Sequence, residues 1–197
     1  MKHLAVFCGA SKGVHSHYAE EAKKVGAFMN KKEISLIYGG GKIGLMGVLA
    51  DELIQAGNKV IGVIPELLKH EEVAHSGVSE MIYTKTMSER KVIMSQKCDA
   101  YLALAGGFGT LDEIFEALTL GQLGIESKPV AFLNTNVFYD GLLAQLDHMV
   151  KEGFLKQVNR DMIIVSDSIE DIFEQFDNYQ HPIFNKIIQT TPDHEEH

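Results

Sequence analysis

The feature that most restricts the fold of this chain is a regular alternation of short apolar runs with amphipathic segments. Apolar runs predict seven strands, at residues 4–8, 34–38, 59–64, 81–84, 101–105, 129–133 and 162–165. Amphipathic segments predict six helices, at residues 16–29, 45–56, 88–97, 111–123, 139–151 and 169–176. Buried strands that alternate with helices pair in parallel. The pattern therefore predicts a Rossmann-like, doubly wound α/β fold, with a mainly parallel sheet of about seven strands and helices on both faces.

Residues at the predicted helix ends refine this assignment. Ser16, Thr110 and Ser168 are placed as N-caps, because their hydroxyls accept hydrogen bonds from free backbone amides. Gly57 follows the second helix as a C-cap glycine. The length of 197 residues suits one domain, expected over residues 1–180. The polar end, residues 181–197, is expected to be a partly disordered tail.

Composition excludes several classes of protein. The formal net charge is -9, which disfavours a nucleic-acid binder, and there is no apolar stretch of membrane-spanning length. The two cysteines, Cys8 and Cys98, have neither zinc nor disulfide spacing. The first residues are typical of a strand rather than of a signal peptide, so a cytoplasmic location is expected. The near miss to H-E-x-x-H at residues 70–75 places its second histidine one residue late, and no metal is expected.

Three strand-to-helix corners stand out: "CGAS" (8–11), "YGGGKIGLMG" (38–47) and "AGGFGT" (105–110). Ligands of parallel α/β sheets bind at this edge, beyond the carboxyl ends of the strands. In the second corner, Gly39, Gly41 and Gly44 satisfy G-x-G-x-x-G, which is typical of a phosphate site or of a tight turn. A dinucleotide site also needs a later acid. Glu66 is near the right distance but follows Pro65, so NAD is only weakly indicated.

The third corner has two interpretations. Thr110 and Glu113 have the T-x-x-E spacing of a capping box, in which Glu113 would bond the backbone and do no chemistry. Capping does not explain the glycines Gly106, Gly107 and Gly109, which with the other corners would form a floor of backbone amides for a nucleotide phosphate. Ser11 in the first corner can donate to a phosphate, or it can simply cap or turn the chain.

One of only two arginines, Arg90, precedes the strand that leads into this third corner. An isolated Arg-Lys pair such as Arg90 and Lys91 is most often a solvated surface pair. Beside an anion site, however, Arg90 would hold the Glu113 carboxylate in its ionised form. An ionised carboxylate facing an electron-poor sugar carbon can stabilise an oxocarbenium-like state or orient water.

The segments "MSERK" (87–91), "YGGGKIGLMG" and "AGGFGTLDE" resemble the Lonely Guy family of cytokinin riboside 5'-monophosphate phosphoribohydrolases, long mislabelled as lysine decarboxylases. The family signature is M-x-x-R-K followed by P-G-G-x-G-T-x-x-E, and the similarity extends from about residue 2 to about residue 166, including "LGIESKPVAFLN" (123–134). The resemblance implies a Rossmann-like homodimer that needs no cofactor. It would hydrolyse the N-glycosidic bond of N6-substituted adenosine 5'-monophosphates, or of AMP, to free base and ribose 5-phosphate.

The resemblance also implies the roles of particular residues. Arg90 and Glu113 match the catalytic pair of the family. By the same resemblance, contacts to the nucleotide fall on Gly106, Gly107, Gly109 and Thr110, with further contacts on Glu72, Lys91 and Thr119. Ser11, Gly40, Gly41 and Met46, in the first two corners, are added as candidate substrate-binding residues.

Ala105 stands where the family has proline, which would fix φ at the exit of the strand. The site is expected to survive this change with a slightly looser entrance. Two other functions remain open from the residues alone. One is a nucleotide sensor without turnover, and the other is an NAD-dependent oxidoreductase built on Gly39–Gly44 and Glu66.

Overall fold

The chain forms one parallel sheet of seven strands in the order β4-β3-β2-β1-β5-β6-β7. It is seen here in a computed structural model that describes residues 1–68 and 74–182. The strands are β1 (His3–Phe7), β2 (Ser35–Tyr38), β3 (Val60–Pro65), β4 (Glu80–Thr84), β5 (Ala100–Ala103), β6 (Val130–Leu133) and β7 (Ile163–Ser166). All seven predicted strands are confirmed, with ends that differ by one or two residues.

Helices cover both faces of the sheet because alternate residues of each buried strand point to opposite sides. Leu4 and Val6 of β1 belong to one core, while Ala5 and Phe7 belong to the other. The first core is covered by α1 (Ser16–Lys31), α2 (Gly44–Gln55) and α7 (Ile169–Asp177). The second is covered by α3 (Met87–Lys97), α4 (Phe108–Gln122) and α5 (Asp140–Lys151). The doubly wound α/β prediction is confirmed, and no helix of the described residues is long and apolar enough to cross a bilayer.

The predicted helix ends are only partly right. Ser168 caps α7 by accepting from the Asp171 amide, and Gly57 follows α2 with a φ of 75°. The N-cap of α1 is His15 rather than Ser16. The N-cap of α4 is Gly107 rather than Thr110, because the helix begins three residues earlier than its apolar pattern. Missed elements are α6 (Gln157–Arg160) and the 3₁₀ turns Glu66–Leu68 and Thr135–Val137, which are too short for a periodic pattern.

The direction of winding reverses between β1 and β5, which are neighbours at the centre of the sheet. The chain builds outward from β1 to β4, returns to β5 and then builds outward to β7. The helices that follow β1 and β5, α1 and α4, lie on opposite faces. Their departure to opposite sides opens a crevice at the carboxyl ends of these two strands, where ligands of such sheets bind.

Candidate active site

The corner after β1 is bonded directly to the corner after β5. The Gly9 amide donates to the Ala105 carbonyl at 3.0 Å, and the Leu104 amide donates to the Phe7 carbonyl at 2.9 Å. The start of α2 joins them, since the Leu45 amide donates to the Gly9 carbonyl at 2.9 Å. The first and third of the corners seen in the sequence therefore form one rigid floor. The first turn of α2, which belongs to the second corner, is fixed against it.

The glycine corner, residues 105–109, uses its glycines for two different reasons. A Cβ on Gly106 would lie 2.1 Å from the Thr110 hydroxyl oxygen, so packing requires glycine there. No atom of the described residues lies within 4 Å of a Cβ placed on Gly107 or Gly109. Packing does not require glycine at those two positions, and their backbone is open to the approach of a ligand.

The glycine corner also opens α4 toward the crevice. The first backbone amides of a helix have no intrahelical acceptors, and Gly107, the N-cap of α4, makes no side-chain cap to them. The positive end of the helix dipole lies at the same place. Together these features make the start of α4 a suitable binding site for a phosphate.

Arg90 and Glu113 form an ion pair at the base of the crevice. The guanidinium Nη2 lies 3.1 Å from Oε1 of Glu113, and the two residues are only 5% and 9% exposed. Arg90 Nε donates to the Val63 carbonyl at 3.0 Å, which fixes the guanidinium to β3. A Cβ on Gly39 would lie 2.3 Å from Nη2, so glycine at the end of β2 makes room for this side chain.

The capping interpretation of Glu113 is wrong, because this residue lies in the second turn of α4 and faces Arg90. A T-x-x-E cap does occur, at α3. There the Thr86 hydroxyl accepts from the Glu89 amide at 3.0 Å, and the Glu89 carboxylate accepts from the Lys85 amide at 2.8 Å. The spacing alone does not say which of two such sequences caps its helix.

Two neighbouring lobes, which share Gly9, Ala10 and Gly107 in their linings, lie beside these residues. The smaller lobe, of about 250 Å³, is lined by residues 6–10, 107, 109 and 110 with Gly39, Met46, Arg90 and Glu113. The larger lobe, of about 360 Å³, is lined by residues 9–13 and 105–107 with Tyr18, Leu45 and Phe138. Of the described residues that line the smaller lobe, Glu113 alone carries a carboxylate. The smaller lobe thus holds the Arg90–Glu113 ion pair, whereas the larger one has aromatic and aliphatic walls with Lys12 as its charged residue.

Cys8 lines the smaller lobe together with the ion pair. Burial raises the pKa of its thiol far above the ordinary value, and the negative charge of Glu113 raises it further. The thiol therefore stays protonated at neutral pH and is not an activated nucleophile.

The structure places the other proposed contact residues unequally. Thr110 and Met46 line the smaller lobe, and Gly106 and Ser11 line the larger one. Ser11 also accepts from the Gly13 amide at 3.1 Å, so it shapes the turn as well. Gly40 and Gly41 of the second corner line neither lobe, and they contact residues 74 and 75 instead: the Gly40 carbonyl accepts from the His75 amide and Gly41 pairs with Ala74.

Lys91 and Thr119 lie outside both lobes. Lys91 is paired with Asp112 and Glu116 on the outer side of α4. Burial lowers the pKa of Lys91, but its hydrogen bonds to Glu116 and Asp112 outweigh this effect and raise the pKa overall. Thr119 is exposed and donates to the Phe115 carbonyl at 2.7 Å. Glu72 lies outside the described residues, as do residues 70–73 of the segment that nearly matches H-E-x-x-H. His75, the last residue of that segment, is hydrogen-bonded to Asp51.

Packing explains the G-x-G-x-x-G match that suggested a dinucleotide. Gly39 makes room for Arg90, and Gly44 has a φ of 65° with its missing Cβ only 2.2 Å from the Ala10 carbonyl carbon. The motif lies between β2 and α2, one strand away from the switch point. Glu66 begins an exposed 3₁₀ turn beyond β3. These positions remove the basis of the NAD interpretation.

Sequence reasoning missed several lining residues. The sequence pattern marks Gly39 only as part of the G-x-G-x-x-G match. It does not reveal that Gly39 packs against Arg90 and lines the smaller lobe. Cys8 was assigned no role in the site. Tyr18 and Phe138 come from α1 and from the turn after β6, and no local motif marks either of them.

Comparison with known proteins agrees on a family. A family described as "Possible lysine decarboxylase" matches residues 46–176. The cytokinin riboside 5'-monophosphate phosphoribohydrolase LOG7 of Arabidopsis thaliana is 38% identical over 94% of this chain and 85% of its own length. A probable cytokinin riboside 5'-monophosphate phosphoribohydrolase of Oryza sativa subsp. japonica, LOGL2, is 36% identical over 95% of this chain and 76% of its own.

Solved structures show the same fold at lower identity. A molybdenum cofactor binding protein from Rippkaea orientalis has a TM-score of 0.68 and 22% identity, covering 90% of this chain and 96% of that one. The molybdenum cofactor carrier protein of Chlamydomonas reinhardtii has a TM-score of 0.67 and 20% identity, covering 90% and 99%. At these identities the likeness concerns the fold alone.

Proposed function

This chain belongs to the Lonely Guy family of cytokinin riboside 5'-monophosphate phosphoribohydrolases, and from that premise we propose that it hydrolyses the N-glycosidic bond of adenosine 5'-monophosphate-type nucleotides. The products are the free base and ribose 5-phosphate. The substrates are cytokinin riboside 5'-monophosphates, AMP, or both. The observation that carries the proposal is the buried Arg90–Glu113 pair beneath an open glycine corner at the switch point of the sheet.

The start of α4 holds the 5'-phosphate in this proposal. Unpaired amides of its first turn and the positive helix end favour a dianionic group, and Thr110 adds a hydroxyl. Gly107 and Gly109 allow the phosphate oxygens to approach the backbone. Binding of the phosphate fixes the ribose relative to Glu113. Much of the entropy that is lost when the reacting groups are oriented is therefore lost on binding and not in the reaction step.

Glu113 acts at the anomeric carbon. The bond between C1' and the base nitrogen breaks, the electron pair leaves with the base, and positive charge develops on the sugar. The carboxylate stabilises that charge and orients the water whose oxygen bonds to C1'. One proton of this water is finally carried by the released base. Arg90 keeps Glu113 ionised and in place. Among the described residues that line the smaller lobe there is one carboxylate, whereas sugar-chain glycosidases use two.

Chromatography of the released base tests this activity. The protein is incubated with AMP, isopentenyladenosine 5'-monophosphate and the two corresponding nucleosides. The proposal predicts base and ribose 5-phosphate in equal amounts from the monophosphates, with at least a hundredfold lower rate from the nucleosides, because two or three charge-assisted hydrogen bonds are lost. Equal cleavage of the nucleosides would indicate a plain nucleosidase, and AMP binding with no free base would indicate a sensor.

We also propose a cytoplasmic homodimer. Both cysteines are free and buried, which suits a reducing compartment. Several apolar side chains are exposed on α3, at the start of α4 and just after it: Val92, Phe108, Leu123 and Ile125. A second copy of the chain would cover them. Sedimentation velocity tests the assembly, since a monomer at micromolar concentration would contradict it.

A further inference from the structure

The turn after β6 contacts the end of the neighbouring strand β5, where the glycine corner begins. Tyr139, which ends this turn, is buried, and its hydroxyl donates to the Leu104 carbonyl at 2.6 Å. Leu104 is the first residue beyond β5, and Ala105 and Gly106 follow it directly. The carbonyl is buried where the regular ladder has ended, so it needs a donor from elsewhere.

We propose that Tyr139 is a positioning residue, which sets the geometry of the glycine corner for phosphate binding by holding the Leu104 carbonyl. The proposal rests on the function proposed above and adds a residue to it. Tyr139 lines neither lobe, so it acts through the backbone of the corner rather than on the substrate.

Among the described residues, three hydrogen bonds from other segments hold Leu104 and Ala105 at the entry to this corner, and they come from two directions. Phe7 and Gly9 hold Leu104 and Ala105 from the side of β1. Tyr139 holds Leu104 from the side of β6. If the hydroxyl were removed, the corner would be held from one side only, just before the residues whose amides face the phosphate. A small displacement there matters, because phosphate hydrogen bonds depend steeply on distance and angle.

Tyr139 is itself held firmly. Its backbone amide donates to the Asn134 side-chain oxygen at 2.7 Å, and the Asn134 amide group donates to Asp140 at 2.8 Å. Its ring packs edge to face against Phe132 and Phe138, with centroids 4.8 Å and 4.9 Å apart. Burial raises the pKa of the phenol well above its ordinary value, so the hydroxyl remains a donor at every physiological pH.

The turn that delivers Tyr139 has an unfavourable backbone. Asn136 and Val137 have φ values of 52° and 55°, in the left-handed region that β-branched residues avoid. Val137 is 65% exposed, so burial of its own side chain does not explain the conformation. Strain of this kind persists where the surrounding structure requires it and concentrates near functional sites. Here it places Phe138 in the wall of the larger lobe and Tyr139 beneath the corner.

Tyr139→Phe tests the proposal because it removes the hydroxyl and keeps the ring. Tyr38→Phe is the matched control, since Tyr38 is equally buried and its hydroxyl has no hydrogen-bond partner among the described residues. All assays are run at least 20 °C below the unfolding midpoint of every variant, so that stability alone does not change the rate. We expect Tyr139→Phe to raise KM for the 5'-monophosphate about tenfold with a smaller change in kcat, and Tyr38→Phe to remain within twofold of the parent.

A binding measurement separates this proposal from the proposed reaction. The affinity for AMP is measured by calorimetry in Glu113→Gln, with and without Tyr139→Phe. A loss of fivefold or more supports the positioning role even if the parent protein releases no base, while unchanged affinity overturns it. Adding Ala105→Pro to Tyr139→Phe should recover part of the affinity, because proline restricts the φ next to Leu104. If Tyr139→Phe does not fold, Asn134→Ala replaces it, since it removes the side-chain oxygen that accepts from the Tyr139 backbone amide, and the same two outcomes decide.

Discussion

A buried ion pair such as Arg90–Glu113 is an expensive way to hold a core together. Its attraction barely offsets the cost of removing both charges from water, whereas losing one partner leaves the other charge buried and unpaired. If the pair is kept for function, removing one partner should destabilise the protein, whereas replacing both by apolar residues should not.

We therefore expect Arg90→Met to lower the free energy of unfolding by about 3 kcal/mol. The double variant Arg90→Met, Glu113→Leu should regain most of that loss, while base release stays absent in both. Urea unfolding and the base-release assay measure the two quantities. A double variant as unstable as Arg90→Met would mean that the pair contributes substantially to the fold.

The glycine corner offers a matched pair of substitutions. Gly106→Ala brings a methyl group to within 2.1 Å of the Thr110 oxygen, so it should cost about 1–3 kcal/mol of stability. Gly109→Ala meets no atom of the described residues, so its stability should change little while its affinity for the monophosphate falls. Thermal unfolding and KM measure the two effects. Normal KM in Gly109→Ala would place the phosphate elsewhere.

Cysteine reactivity reports the protonation state inside the site. Burial raises the pKa of Cys8 and Cys98, the latter to about 11, from an ordinary 9.0. Ellman's reagent at pH 8 should therefore find no reactive thiol in the native protein and two after unfolding. Because these pKa values are raised in the folded state, their stabilising effect is complete below pH 9 and is lost as the pH rises above it. A rapidly reacting thiol in the native protein would contradict the assigned environment of Cys8.

At the scale of elements, Asp99 ties the first strand to the rest of the sheet. Its carboxylate accepts from the amides of Lys2 and His3 at 2.7 and 2.9 Å, where β1 begins beside β5. Burial alone would raise the pKa of Asp99, but these two hydrogen bonds outweigh it and hold the pKa below 3.8.

Asp99→Ala should cost about 1 kcal/mol near neutral pH, a value reduced for the exposure of the site. Because the folded-state pKa is lowered, the advantage of the parent protein is present above pH 4 and is lost as the pH falls through that folded value. Urea unfolding of both proteins at pH 7 and pH 3 measures it. A difference that is no smaller at pH 3 would assign the stabilisation to something other than the charge.

Local sequence patterns predicted elements better than their ends. The buried strands β2 and β6 can be recognised as short, continuous apolar runs in the sequence, because buried parallel strands are apolar on both faces. The start of α4 was misplaced because Phe108, which is 93% exposed, breaks the apolar period there. The turn before Tyr139 was not predicted, because no local sequence pattern indicates that Val137 adopts a left-handed backbone conformation.

At the scale of the whole molecule, topology makes the site. The order of strands brings the ends of β1 and β5 together, and Val63 of β3 adds the carbonyl that anchors Arg90. Alternation of strands and helices predicted the sheet edge, and the family motif predicted Arg90 and Glu113 as a pair, which are 3.1 Å apart. Contacts between segments distant in sequence could not be predicted, such as Tyr139 with Leu104 or Lys91 with the outer side of α4.

The central claim is that Glu113 performs the chemistry in a pocket that binds the nucleotide independently of it. Its most direct test compares Glu113→Gln with Asp112→Asn, the adjacent exposed acid on the same helix. Released base is measured from AMP and isopentenyladenosine 5'-monophosphate, and AMP affinity is measured by calorimetry. The account predicts that Glu113→Gln loses at least a thousandfold in base release while binding AMP within about tenfold of the parent, and that Asp112→Asn keeps both. Base release by Glu113→Gln at the rate of the parent would contradict it.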